Sequence, residues 1–176
     1  MEHHFYTTNQ AEGDRAGTGG FQFEGTAAFV FPTQQPGTVQ MLRSFNGEPG
    51  DGGDHFYTTD VDEQARAVSG GWKKENTVNP FFVFDPNQPQ PDGTVPLVRF
   101  YNNSISDHFY TIDPNGEDAE SRGWQRERIS CFVFDHQEPG TVPLRRYWKR
   151  GTNFGDDLGN FLDVVEGVIT VVAAAL

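Results

Sequence analysis

The chain has 176 residues, a formal net charge of −12, and a composition that sets 20 Gly and 11 Pro beside 16 Phe, 5 Tyr and 3 Trp. That length fits one domain, or one domain and a tail, and allows a sizeable core. The 13 basic residues, spread along the chain, form no cluster of the kind that phosphate neutralisation needs, which argues against nucleic acid, and an anionic membrane surface would repel so acidic a chain.

The predicted elements are short strands joined by Gly, Pro, Asn and Asp turns and packed through aromatic rings. The first strand is His4-Phe5-Tyr6-Thr7-Thr8. No basic, apolar and cleavage regions of a signal peptide precede it, so a cytoplasmic or non-classically secreted protein is expected. The stretch from Gly13 to Gly20 is too Gly-rich to predict a helix. Phe21 with Glu24 follows, then an apolar strand at Phe29-Val30-Phe31, then Gly37-Thr38-Val39, which opens a strand carrying Arg43. After the turn at residues 48–52 the same order returns. His55-Phe56-Tyr57-Thr58-Thr59 lies 51 residues beyond its first copy, and His108-Phe109-Tyr110-Thr111-Ile112 another 53 beyond that. Trp72 with Glu75 and Trp124 with Glu127 repeat the aromatic and acid, Phe82 to Phe84 and Phe132 to Phe134 repeat the apolar strand, and Gly93 and Gly140 open the strands of Arg99 and Arg146. In the second copy, Asp62 is placed to cap a short helix that ends at Gly70-Gly71.

Four landmarks in three copies predict one all-β domain with short helical turns over residues 1–150, its repeats spanning about 3–46, 54–102 and 107–149. Pairing the Arg146 strand beside residues 4 to 8 would close two open edges. The expected result is a closed pseudo-three-fold domain, β-trefoil-like or, alternatively, a three-bladed β-propeller. Residues 151–176 form an apolar tail, with Leu158, Phe161, Leu162, Val165, Ile169 and Val172 at helical spacing. It makes a poor membrane span, because Asp163 and Glu166 fall inside it. Docking on the domain's own surface, self-association into a homo-oligomer, and membrane or lipid contact are the readings it leaves open.

Val95-Pro96-Leu97-Val98-Arg99-Phe100-Tyr101-Asn102, followed by Asp107-His108-Phe109-Tyr110-Thr111, resembles the repeats of a bacterial and fungal family known as a domain of unknown function. Its members typically read Val-Pro-Leu-x-Arg-Phe-Tyr-Asn and then Asp-His-Phe-Tyr-Thr-Thr. The resemblance covers residues 3 to 149 and implies a module often attached to secreted hydrolases or standing alone, more a binding unit than a catalyst. The first copy departs from the pattern: His3 stands where Asp54 and Asp107 precede their His, and Gln40-Met41 replaces Pro-Leu.

Alternation puts Leu97, Arg99 and Tyr101 on one strand face, with Met41, Arg43 and Phe45, and Leu144, Arg146 and Trp148, in the same register. The opposite face varies more between copies, which predicts looser constraint there. An Arg on the restrained face needs acceptors, and Glu24, Glu75 and Glu127 are the first candidates, Asp54 and Asp107 the next. Two readings stay open. In one, Arg and Glu form a structural ion pair. In the other, His4, Tyr6, Glu24 and Arg43; His55, Tyr57, Glu75, Arg99 and Tyr101; and His108, Tyr110, Glu127, Arg146 and Trp148 line up to three shallow sites.

An aromatic plane beside mixed donors and acceptors suits a neutral sugar. The expected function is therefore a non-enzymatic, lectin-like carbohydrate-binding protein whose partners are glycans or glycoconjugates. A protein-binding or inhibitory module on a rigid β scaffold is the alternative. No Gly-x-Ser-x-Gly elbow, phosphate loop or His-Glu-x-x-His occurs, so neither catalysis nor a cofactor is expected. Cys131 precedes the apolar Phe132 strand and is read as a buried, inert thiol. Metal ligation is not expected either, because Asp54-His55 and Asp107-His108 are adjacent on strands and point to opposite faces.

Overall fold

The computed structural model describes residues 2–47 and 53–150. The predicted turn at 48–52 and the apolar tail lie outside the described residues. In chain order the elements are β1 (Glu2–Thr7), α1 (Gln10–Thr18), β2 (Gln22–Val30), β3 (Thr38–Gln40), β4 (Leu42–Asn46), β5 (Asp54–Thr58) and α2 (Val61–Ser69). There follow β6 (Lys73–Lys74), β7 (Phe82–Phe84), β8 (Thr94–Asn102), β9 (Asp107–Thr111), a 3-10 stretch (Gly116–Arg122), β10 (Gln125–Phe134) and β11 (Val142–Arg150). The fold is mostly β, with three short helices. An eight-stranded antiparallel sheet runs β1-β11-β2-β10-β7-β3, with β8 and β9 branching from β10, and it curls strongly; a three-stranded sheet is ordered β5-β4-β6.

The strand carrying each recurring Arg is the middle of a three-stranded group. β11 lies between β1 and β2, β4 between β5 and β6, and β8 between β9 and β10. The structural unit is therefore offset from the sequence copy: an Arg strand pairs with the His-Phe-Tyr strand that follows it in sequence, and the last pairs with the first. His4 faces Trp148 and Tyr6 faces Arg146 across the β1/β11 pair. The three groups are called units 1 (β1, α1, β2, β11), 2 (β4, β5, α2, β6) and 3 (β8, β9, the 3-10 stretch, β10).

The unit arrangement follows from local chemistry. Gly37, Gly93 and Gly140 take φ of 80°, 81° and 83°, a region open to Gly without penalty. In each of these turns the next Thr donates its hydroxyl to a carbonyl three residues back, at 2.7 to 2.8 Å. The alternation of Phe-Val-Phe then sends Val30, Val83 and Val133 into the core with Ala28, Met41, Leu97, Cys131 and Leu144. Phe31, Phe84 and Phe134 meet edge to face, with centroids 5.9 to 6.1 Å apart.

On the other side of this core Tyr6, Tyr57 and Tyr110, 1%, 2% and 1% exposed, close a ring. Tyr6 Oη donates to the Tyr110 carbonyl (2.8 Å), Tyr110 Oη to that of Tyr57 (2.9 Å), and Tyr57 Oη to that of Tyr6 (2.7 Å). Each hydroxyl also accepts the backbone N–H of the residue to which it donates, at 2.8 to 3.0 Å. Six buried backbone groups are satisfied by three side chains, and the three units are joined in one cycle.

Three expectations are corrected. The Gly-rich first copy does hold a helix, α1. Asn9 caps it by accepting the Glu12 N–H at 3.0 Å, and Gly13 is required by contact, since a Cβ there would stand 1.9 Å from the Tyr147 hydroxyl. In the second copy the cap is Asp60, two residues before the predicted one, accepting from the N–H groups of Asp62 and Glu63. The third correction concerns the strand face predicted to be loosely constrained, which is buried against the helical segments. Phe100 packs with Ala119, Phe109 and Trp124, Ser44 bonds the Gln64 amide at 2.9 Å, and Tyr147 lies on Gly13. The residues vary because each large or small side chain is matched by a small or large helical partner.

Candidate functional site

Each boundary between units carries the same set of polar groups. Arg43 of unit 2 sets Nη1 and Nη2 against the Glu12 carboxylate of unit 1 (3.4 and 3.0 Å) and Nε against Glu75 of its own unit (2.9 Å). Arg99 does the same with Glu63 (3.2 and 2.9 Å) and Glu127 (2.6 Å), and Arg146 with Glu117 (2.7 and 3.0 Å) and Glu24 (2.9 Å). Their guanidinium groups lie over Phe5, Phe56 and Phe109 of the neighbouring unit, 4.9 to 5.5 Å from the ring centres. Thr7, Thr58 and Thr111 donate hydroxyl protons to the same helical carboxylates, Glu12, Glu63 and Glu117. Burial opposes ionisation of Glu63 and Glu117, yet the hydrogen bonds from Arg99 with Thr58, and from Arg146 with Thr111, hold both carboxyls below the ordinary glutamate range.

The predicted acceptors Glu24, Glu75 and Glu127 thus do meet the Arg. Glu12, Glu63 and Glu117 escaped the sequence reading, although a Glu five or six residues beyond the recurring Thr was there to be found; denying the first copy a helix hid it. Asp54 and Asp107 turn instead to histidine. Asp107 accepts the His4 N–H at 3.1 Å and faces His4 Nδ1 at 2.6 Å, and Asp54 does the same for His108. Burial and the nearby Asp54 push the Asp107 carboxyl up.

The candidate ligand-binding residues fall into different surroundings. Tyr6, Tyr57 and Tyr110 belong to the core ring, and burial pushes all three phenols up. Arg43 and Arg99 are buried in their ion pairs, 6% and 3% exposed. The grouping by sequence copy is replaced by grouping across strand pairs: Arg43 with His55, Phe45 and Glu75; Arg99 with His108, Tyr101 and Glu127; Arg146 with His4, Trp148 and Glu24. Glu24 and Arg146 line a cleft of about 410 Å³ with Thr111, Asp113 and Glu117. A related cleft of about 480 Å³ lies beside Thr58, Asp60, Arg128 and Ser130. At the third equivalent position Asn9 bonds Asn79 across the gap at 2.7 Å. None of the residues lining the two clefts is aromatic.

The boundary between units 1 and 2 differs from the other two. Trp72 lies edge-on to His108 at 5.9 Å and Trp124 edge-on to His4 at 5.6 Å, covering them. Over His55 the equivalent residue is Phe21, and the space opens as a pocket of about 250 Å³ lined by Ala16, Gly19, Phe21, Phe45, His55, Glu75 and Lys149. His55 is set between the Phe5 and Phe45 rings, 4.9 and 4.8 Å away, with Nε2 3.7 Å from Glu75. His3 stands where the other boundaries have Asp.

The His55 ring is held down to about 3, first by burial and then by the charges of Arg43 and His3, so it is neutral at pH 7. An unfolded His titrates near 6.5. The unfolded chain therefore takes up this proton first: the stability carried by the neutral ring is complete above about pH 6.5 and is lost as the pH falls from there toward 3. Between pH 6.5 and 4.5 the wild type is expected to lose melting temperature more steeply than His55→Gln. Parallel pH profiles would mean that the ring titrates normally.

No curated protein and no solved structure matches the chain. A family model described as a domain of unknown function (DUF5648) matches residues 1–82 and again residues 51–157, and the two matches overlap as internal repeats would make them do. Together they span most of the sequence, from its first strand through β11, and the chain belongs to this family.

Proposed function

We propose that the protein is a non-enzymatic carbohydrate-binding module whose site is the pocket at His55. The observation that carries this reading is an open, aromatic-walled pocket at the one boundary where the repeat pattern is broken twice, at His3 and at Phe21. Phe21 and Phe45 offer faces for the C–H surface of a pyranose. Neutral His55 offers Nε2, its Nδ1 being buried, Glu75 accepts hydroxyl protons, and the Lys149 ammonium donates. The larger clefts at the other boundaries have polar walls but no ring on which a sugar could stack. This reading replaces up to three repeat-related sites with one principal site.

The finer architecture goes with it. We read the three units as blades of a small closed ring rather than as the lobes of a trefoil, because every Arg strand is the centre of its own three-stranded group and the groups meet through the Tyr and Phe clusters.

Phe21→Trp is the sharpest test, since Trp already occupies the equivalent places at positions 72 and 124 and fills open space here at little cost. Wild-type protein is expected to bind a subset of neutral glycans on an array, with competition by the free sugar. The Phe21→Trp protein should lose that binding while melting at the same temperature. An empty array, or undiminished binding by the variant, would overturn the reading.

A further inference from the structure

Phe21 has a second side. It also borders a pocket of about 370 Å³ on the outer surface of unit 1, where Phe23 and Tyr147 face each other with ring centres 5.3 Å apart and tilted by 51°. Phe23 is 59% exposed. A single exposed apolar side chain needs no explanation. This one, however, stands where units 2 and 3 carry the exposed cations Lys74 and Arg126, and it lies within a concave, mixed surface rather than on a flat one. Gly17 of α1 contributes no side chain to that surface, which leaves the Phe23 ring open, while Tyr147, 4% exposed, is buried on Gly13 and backs it. Gln10 and Asp14, joined by a 2.8 Å hydrogen bond, and Arg145, which bonds the Thr8 carbonyl at 3.2 Å, surround it with amide, carboxylate and guanidinium groups.

The geometry points to a second sugar subsite on the exposed Phe23 ring, continuous with the His55 pocket through Phe21. The ligand would then be a neutral oligosaccharide laid along the rings of Phe45, Phe21 and Phe23, rather than a single sugar residue. This rests on the carbohydrate reading of the His55 pocket. Two shallow subsites of this size each hold little affinity, and joining them on one chain makes the second contact intramolecular. With a net charge of −12, the protein disfavours acidic glycans as ligands.

Calorimetric titration with maltotetraose, cellotetraose and chitotetraose, each beside its monosaccharide, separates the two claims. Phe23→Ala removes an exposed ring and leaves the His55 pocket intact. It is expected to weaken binding of the recognised tetrasaccharide about tenfold, the loss of one good stacking contact, and to leave the monosaccharide affinity within about twofold. Phe21→Trp should weaken both. Equal tetrasaccharide affinities for wild type and Phe23→Ala would overturn the second subsite while the His55 site stood. A wild-type protein that bound none of the probes would overturn both.

Discussion

Replacing Arg99 with alanine is expected to lower the unfolding free energy by about 3 kcal/mol or more, the usual cost of breaking a buried charge pair from one side. The Arg99 side chain is 4% exposed and joins Glu63 of unit 2 to Glu127 of unit 3 above the Phe56 ring, so its removal takes the guanidinium from both carboxylates, leaves Glu63 only Thr58 and the Arg128 contact at 3.5 Å, and uncovers an aromatic face. For a domain of this size that corresponds to a fall in melting temperature of about 6 °C or more. Changing Glu63 to Gln in the same protein should restore part of the loss, because one poorly paired charge is then gone. Arg126→Ala, at an exposed arginine, should cost under about 1 kcal/mol. If Arg99→Ala proved as mild as Arg126→Ala, the boundary pairs would be solvated and would not hold the units together.

Tyr57→Phe is expected to cost about 3 kcal/mol, although it removes a single oxygen atom. Tyr57 Oη is both the donor to the Tyr6 carbonyl and the acceptor of the Tyr6 N–H, so the phenylalanine leaves two buried backbone groups unpaired at about 1 to 3 kcal/mol each. The aromatic packing survives, with Tyr6 and Tyr110 still edge to face around the position. Because the three hydroxyls form one cycle, Tyr57→Phe and Tyr110→Phe together should cost less than the sum of the two. Chemical denaturation of the single and double variants measures this directly. Full additivity would mean that the three hydroxyls act independently.

The repeat was legible in the sequence because the chemistry that joins the units is written identically three times: Tyr for the ring, Arg and Glu for the boundary, Phe-Val-Phe for the core, Gly-Thr for the turn. The closing pair of β1 with β11 followed from the same pattern. What could not be read was what each polar residue faces. Tyr and Arg in a repeated motif suit a pocket as well as a joint, and only the burial of Tyr6, Tyr57 and Tyr110 decides for the joint. The α1 helix was hidden because helix propensity penalises Gly13 and Gly17, whereas the capping by Asn9 and the contact of Gly13 with Tyr147 outweigh that penalty. His3 in place of Asp, and Phe21 in place of Trp72 and Trp124, each stand in the sequence as separate departures. Their common position at one boundary became visible only when the offset between copy and unit was known.

The central claim is that the recurring residues hold the ring of units together while binding belongs to the one boundary that departs from the repeat. Backbone amide shifts followed by NMR during titration with the same three tetrasaccharides test it most directly. The account predicts that, for the recognised sugar, the largest changes fall at Phe21, Phe23, Phe45, His55, Glu75 and Lys149, with the equivalent positions around His108 and His4 unmoved. Comparable changes at all three boundaries, or none with any of the three sugars, would contradict it.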